Sequence, residues 1–171
     1  MYVEIAKGTP GNRGYLINKN DLGNFINRKP LYRSVYLYDD EALKYVEDNG
    51  TLKNYFGVRY IDKVPIDIDK GGNSDEKTLD ADITEESFQC FFSGSGYHID
   101  LAGGLFNFKA GVDLPYMVKQ TLKSLIPDLD SSIYMRTGIY RVQHTINQKT
   151  NLYKIPLYRD EVMNLDAADI L

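Results

Sequence analysis

The sequence predicts an α+β fold in a single domain, on three observations. Short runs rich in β-branched and aromatic residues, such as Ser34–Tyr38 and Phe88–Phe92, alternate with segments of helical period. Two of the apolar runs flank a Ser/Gly turn, which reads as a hairpin. The length of 171 residues suits one domain with a substantial core, and no long linker or internal repeat divides it.

The elements follow in chain order. Ser34–Tyr38 (SVYLY) reads as a strand, and Asp39–Glu47 follows as a helix with an acidic start and apolar Ala42, Leu43 and Val46. Val58–Ile61 and Val64–Ile68 read as strands separated by Asp62 and Lys63, and Lys70–Ser74 (KGGNS) as a turn. Phe88–Phe92 stops at Ser93–Gly96, and Tyr97–Leu101 returns antiparallel to it. Asp113–Ile126 is the clearest helix, with Asp113 placed to cap, Pro115 allowed in the first turn, and Leu114, Met117, Val118, Leu122, Leu125 and Ile126 on its apolar side. Ile139–Val142 and Leu152–Pro156 read as extended, and Arg159–Leu165 as a terminal helix.

Composition excludes several classes. The single cysteine rules out an intrachain disulfide, and with two histidines a Cys/His zinc site is not expected. No run of about 18 apolar residues would span a membrane. The start MYVEIAKGTP lacks a basic end and an apolar core, so no signal peptide is expected and the chain is placed in the cytoplasm. Twenty Lys and Arg against 24 Asp and Glu leave a net charge of −4, which argues against a simple nucleic-acid-coating protein. The mean conceals a division, however. Ile61–Cys90 holds nine acids and three lysines, whereas Ser131–Arg159 holds five bases and no acid. Either cluster alone reads as a solvated face, but together they suit a site where a metal ion sits beside phosphates.

Three local patterns carry chemistry. Asp67 and Asp69 end a strand at positions i and i+2, so their carboxylates point to one side, an arrangement stabilised by a divalent cation such as Mg²⁺ or Mn²⁺. Taken alone, such a pair more often marks a solvated strand edge. The turn Ser93-Gly94-Ser95-Gly96 offers backbone N–H groups and hydroxyls to an anion, and His98 just after it can donate to a phosphate oxygen. Taken alone it reads slightly better as a plain hairpin, with His98 hydrogen-bonded on the sheet. It is no P-loop, because neither GKS nor GKT follows and no helix opens from it. In the basic run, Arg141, Lys149 and Lys154 can meet phosphates. His144, Thr145, Asn147, Thr150 and Asn151 add neutral donors, and Tyr134, Tyr140 and Tyr153 offer stacking faces or simple packing.

The order of these patterns resembles the archaeo-eukaryotic primase superfamily, which includes primase small subunits and primase–polymerases. Asp67-Ile68-Asp69 is similar to its D-x-D motif, Ser93–His98 to its small-residue turn ending in histidine, and Leu129-Asp130 to its third, apolar-Asp motif. The spacing Asp130-Ser131-Ser132-Ile133-Tyr134, then Tyr140-Arg141-Val142, resembles that of primase–polymerases. Asn147–Leu152 resembles the K-T-G-L segment of primase small subunits, and Leu152–Leu157 (LYKIPL) resembles phage and mobile-element members. The resemblance spans Ser34 to Leu157, most of the chain.

That resemblance implies an RRM-like catalytic core with a mostly antiparallel sheet and flanking helices over 58–157, a small N-terminal αβ unit over 1–57 and a tail helix over 158–171. It also implies primer synthesis on single-stranded DNA from nucleoside triphosphates, with Asp67, Asp69 and Asp130 holding two divalent ions, Mg²⁺ or Mn²⁺. Ser93, Ser95, His98, Arg141 and Lys149 would contact the nucleotide, and Lys154 the template backbone. Lys70 is a weaker phosphate candidate, and Arg33 reads as a plain surface arginine. A separate helicase or replication protein is an expected partner, because no helicase or zinc module accompanies the core. Two departures stand out. Only 29 positions separate Asp69 from His98, so a helix between the motifs is expected to be short or missing, and Asn151 stands where glycine is common. Two other readings remain: a degenerate primase-fold module that binds nucleic acid or a replication partner without chemistry, and a metal-dependent nuclease, which leaves the turn and the basic run unexplained.

Overall fold

The computed structural model describes residues 1–69, 87–127, 129–158 and 161–162, with the Asp69 side chain outside the description. In chain order the elements are β1 (Tyr2–Lys7), β2 (Tyr15–Asn18), β3 (Leu31–Tyr38), α1 (Asp40–Asn49), β4 (Lys63–Asp69), β5 (Phe88–Phe92), β6 (Gly96–Ala102), α2 (Leu114–Leu125), β7 (Ile139–Arg141) and β8 (Ile155–Leu157). The fold is α+β, as expected. Its described strands form two four-stranded sheets, ordered β2-β1-β3-β7 and β4-β6-β5-β8, with every pairing antiparallel.

The helices start and stop where local chemistry directs. Asp39 caps α1 by accepting the Ala42 N–H at 3.2 Å, and Gly50 ends it at φ +69°, its N–H reaching the Val46 carbonyl at 2.7 Å. Asp113 stands at the N-cap of α2, but its side chain makes no capping hydrogen bond. Pro115 at the second helical position has no N–H, which leaves one of the two donors an N-cap side chain can meet, and Asp113 at ψ 2° lacks the extended backbone usual for a capping residue. The buried stripe of α2 is narrower than its apolar pattern, running through Leu114, Val118 and Leu122, while Met117 and Leu125 are exposed. This stripe packs in one core cluster with Val64 and Ile66 of β4, Cys90 and Phe92 of β5, and Ile99 of β6. The opposite face of the second sheet therefore carries its polar residues.

A smaller core lies on the first sheet, where Val3, Ile5, Leu31, Leu37 and Val142 pack beneath Leu22 and Phe25 of a 3-10 turn over Lys19–Phe25. Strands β1 and β2 go beyond the expected elements. The expected strand at Val58–Ile61 is absent. In its place Arg59 bridges to Gly111 and Tyr60 to Leu37, so neighbouring residues serve different partners and no ladder grows. The last extended run also shifts, with β8 at Ile155–Leu157 preceded by an Ile146–Tyr153 bridge. The hairpin of β5 and β6 forms as expected, and β3 is longer than the five residues anticipated. The Lys70–Ser74 turn and the shortened connection before Ser87 lie outside the described residues, as does most of the terminal helix, of which Glu161 and Val162 are helical. No helix among the described residues is long and apolar enough to cross a membrane.

Candidate functional site

The ladder between β4 and β6 creates the centre of the site. It sets Asp67 opposite His98 and Pro65 opposite Asp100, so these side chains share the sheet face that α2 leaves uncovered. His98 Nε2 lies 3.1 Å from Asp67 Oδ1. Burial pushes the Asp67 carboxyl upward, but the His98 hydrogen bond, aided by the charges of His98, Lys154 and Arg141, outweighs it. The net position is below the ordinary carboxylate range. Asp69 closes β4 opposite Gly96, and its expected alignment with Asp67 concerns a side chain outside the description.

The Ser/Gly turn is closed by two hydrogen bonds. Ser93 N–H donates to the Gly96 carbonyl at 2.8 Å, and Gly96 N–H returns to Ser93 Oγ at 3.2 Å. The Ser93 hydroxyl thus closes the turn, while Ser95 is exposed. Gly94 sits at φ +86°, and a Cβ there would stand 2.9 Å from Thr150 Oγ1, so both the backbone and the packed β7–β8 connection require glycine. From that side Arg141 Nη2 and Asn147 Nδ2 both donate to the Ser93 carbonyl, the latter at 3.3 Å. Asn151 takes φ +59°, so it adopts the left-handed conformation that a glycine would supply.

Arg141 ends β7 in the first sheet, yet its side chain reaches the turn of the second. Lys154, just before β8, donates from Nζ to the Arg141 carbonyl at 3.2 Å and lies 4.4 Å from the Phe91 ring centre. Lys154 is 1% exposed, which corrects its expected place on a template backbone: it faces inward, over the same sheet face as Asp67 and His98. Burial pulls its ammonium down to about 8, with Arg141 and Lys63 lowering it further and Asp100 and Asp67 raising it. Burial likewise lowers Arg141 from the ordinary arginine range, against the pull of Asp67.

Beside these groups lies a cavity of about 210 Å³, whose charged lining is Arg33, Lys63, Asp100, Arg141 and Lys154. Arg33, expected on the surface, is instead buried with Nη2 3.0 Å from Asp62 Oδ1. Asp100 and Lys63 were not anticipated as site residues. The signal was present for Asp100, which sits two positions beyond His98 on the same strand face.

The remaining candidates divide between exposed and packed positions. Asp130 is exposed, and its carboxylate accepts the Ser132 N–H at 2.8 Å and the Ser132 hydroxyl at 3.0 Å. Among the described residues no group of three or more His, Cys, Asp or Glu gathers closely enough to hold a metal ion. Lys149 is exposed, its N–H held by Asn147 Oδ1 at 2.9 Å. Tyr134 and Tyr140 are buried and serve packing: the Tyr134 hydroxyl donates to the Pro65 carbonyl on β4, and the Tyr36 hydroxyl donates to the Tyr134 carbonyl at 3.2 Å. Comparison with protein-family models, curated proteins and solved structures found no match.

Proposed function

We propose that the chain is a template-dependent nucleotidyltransferase, a DNA primase or primase–polymerase with an RRM-like core, making short primers on single-stranded DNA. The observation that carries this reading is the β4–β6 register. It joins Asp67 of one motif to His98 of the next, beside a glycine turn gripped by Arg141. An acid for a cation, a donor for phosphate and a buried guanidinium are the groups that phosphoryl transfer from a triphosphate requires.

The donor chemistry of Asp67 suits a hard divalent ion. In this reading Asp67, Asp69 and Asp130 would hold two divalent ions, Mg²⁺ or Mn²⁺, which would supply positive charge to offset the triphosphate and to favour ionisation of the attacking 3′-hydroxyl. The chain's own groups do the positioning. His98 donates to a phosphate oxygen, Arg141 and Lys154 add positive charge from within the fold, and exposed Lys149 and Ser95 meet phosphates at the rim. A helicase or replication protein is the partner expected in this reading.

A second reading, a catalytically degenerate module that binds nucleic acid or a replication partner, is favoured by the engagement of both Asp130 oxygens with Ser132. One experiment separates the two. Purified protein is incubated with labelled nucleoside triphosphates, Mn²⁺ and single-stranded DNA. The enzyme reading expects extended product from the native chain and a loss on the order of 10³-fold in the D67N/D69N variant. Equal incorporation by the variant removes this reading, and no product from the native chain supports the module.

A further inference from the structure

Asp100 is the anomaly of the cavity. It is 7% exposed, and its Oδ1 has no hydrogen-bond partner among the described residues. Its other oxygen lies 3.7 Å from Lys63 Nζ. Across the same cavity Arg141 Nε is likewise buried without a partner among the described residues. A buried carboxylate oxygen left unmatched costs free energy unless a ligand brings a donor to it. The cations on the walls call for an anion in the same space. A bare phosphate suits the cations but repels Asp100. A ligand carrying both a phosphate and a hydroxyl satisfies each wall, and a sugar phosphate is the simplest such chemistry.

The positions agree with one part of a nucleotide. Asp100 lies two residues from His98 on the same face, roughly 7 Å along the strand. That is about the span from a nucleotide's phosphate to its ribose hydroxyls. The cavity's 210 Å³ is smaller than the roughly 300–1,000 Å³ pockets that enclose whole ligands, so it accommodates the sugar end and leaves the rest outside. An acidic side chain near a phosphate site is a recurrent acceptor for the ribose 2′-hydroxyl.

We propose that Asp100 accepts the 2′-hydroxyl of the bound nucleotide and makes the site selective for ribonucleotides. The inference rests on the nucleotide-site reading above and goes beyond it, since that reading is indifferent to the sugar. Asp100 acts in specificity, and Lys63 orients its carboxylate through the second oxygen.

The test is calorimetric titration of the full chain, in Mn²⁺, with ATP, dATP and 3′-deoxy-ATP. The native protein is expected to bind ATP and 3′-deoxy-ATP alike, and dATP about 10- to 100-fold more weakly. Asp100→Leu should bind ATP and dATP with equal affinity, and Asp100→Asn, which keeps an acceptor oxygen and the shape, should retain part of the preference. Thermal unfolding checks each variant. If the leucine variant does not fold, the three native titrations and the asparagine variant still decide. Equal native affinity for ATP and dATP, a preference that survives in Asp100→Leu, or rejection of 3′-deoxy-ATP in place of dATP each overturns the role of Asp100 while leaving the nucleotide site standing. Failure of all three nucleotides to bind the native chain overturns the nucleotide-site reading and this inference with it.

Discussion

Two buried charge clusters in this molecule are closed to different degrees. Around Arg59, which is 1% exposed, the guanidinium donates to the carbonyls of Arg136, Gly57 and Tyr55 at 3.2, 2.8 and 2.8 Å. Nearby Glu4 accepts from two nitrogens of Arg13 and from the Gly14 N–H. Around Arg141, Lys154 and Asp100, by contrast, one guanidinium nitrogen and one carboxylate oxygen are unmatched among the described residues. Burying charge without full hydrogen bonding weakens a fold. The charged groups of the first cluster are matched and tie loops together, although the buried Tyr38 and Tyr55 hydroxyls beside Arg59 lack partners among the described residues; in the second cluster the unmatched atoms belong to charged groups, which fits the ligand site proposed there.

The contrast breaks or sharpens under substitution. The largest stability effect is expected at Arg59. Arg59→Leu leaves three carbonyls without their donor and should lower unfolding free energy by about 3–5 kcal/mol in urea denaturation. A loss below about 1 kcal/mol would erase the distinction. Substitution in the second cluster should separate stability from function. Arg141→Met and Lys154→Met are each expected to reduce nucleotide incorporation on the order of 10²-fold, with a stability loss of only about 1–2 kcal/mol, because each removes one donor to a buried carbonyl. A stability loss equal to that of Arg59→Leu would show both clusters to be structural.

The smallest effect is one of pH. Lys154 titrates near 8 in the fold, below the ordinary lysine value of 10.5. It therefore loses its proton as pH rises through about 8, and nucleotide affinity should fall by at most about tenfold per pH unit above that point. Stability moves the other way. Between about 8 and 10.5 the unfolded chain holds a proton that the folded one lacks, so the Lys154 contribution to stability rises with pH across that window. Affinity titrations from pH 7 to 9.5 on native protein and on Lys154→Met check this. A native profile as flat as the variant's would detach Lys154 from the ligand.

The local elements were legible because their signals lie within a few residues. Asp39 and Gly50 bracket α1 by capping, and the glycine turn between Phe92 and Tyr97 imposes the β5–β6 hairpin. Short apolar runs were less legible. Val58–Ile61 has strand composition but no single neighbour along which to pair, and in β1 the alternation is confined to Val3, Glu4 and Ile5, too short a run to stand out. In α2, Met117 and Leu125 belong to the apolar period but lie on the exposed side, because period alone does not set the width of the packed stripe.

What the sequence by itself determined is the α+β class, the central hairpin, both main helices, and the order of carboxylate, glycine turn, histidine and basic run. These rest on periodicity, turn chemistry and capping, all of which act between near neighbours. Only the tertiary structure decided that β7 joins the N-terminal sheet while its Arg141 reaches the turn of the other. The same is true of the inward burial of Lys154 and Arg33, and of the unmatched oxygen of Asp100, a residue of the cavity lining. Those outcomes depend on which distant surfaces meet and on how much water they exclude. A residue's charge and its place in the chain leave both open until the two sheets have packed.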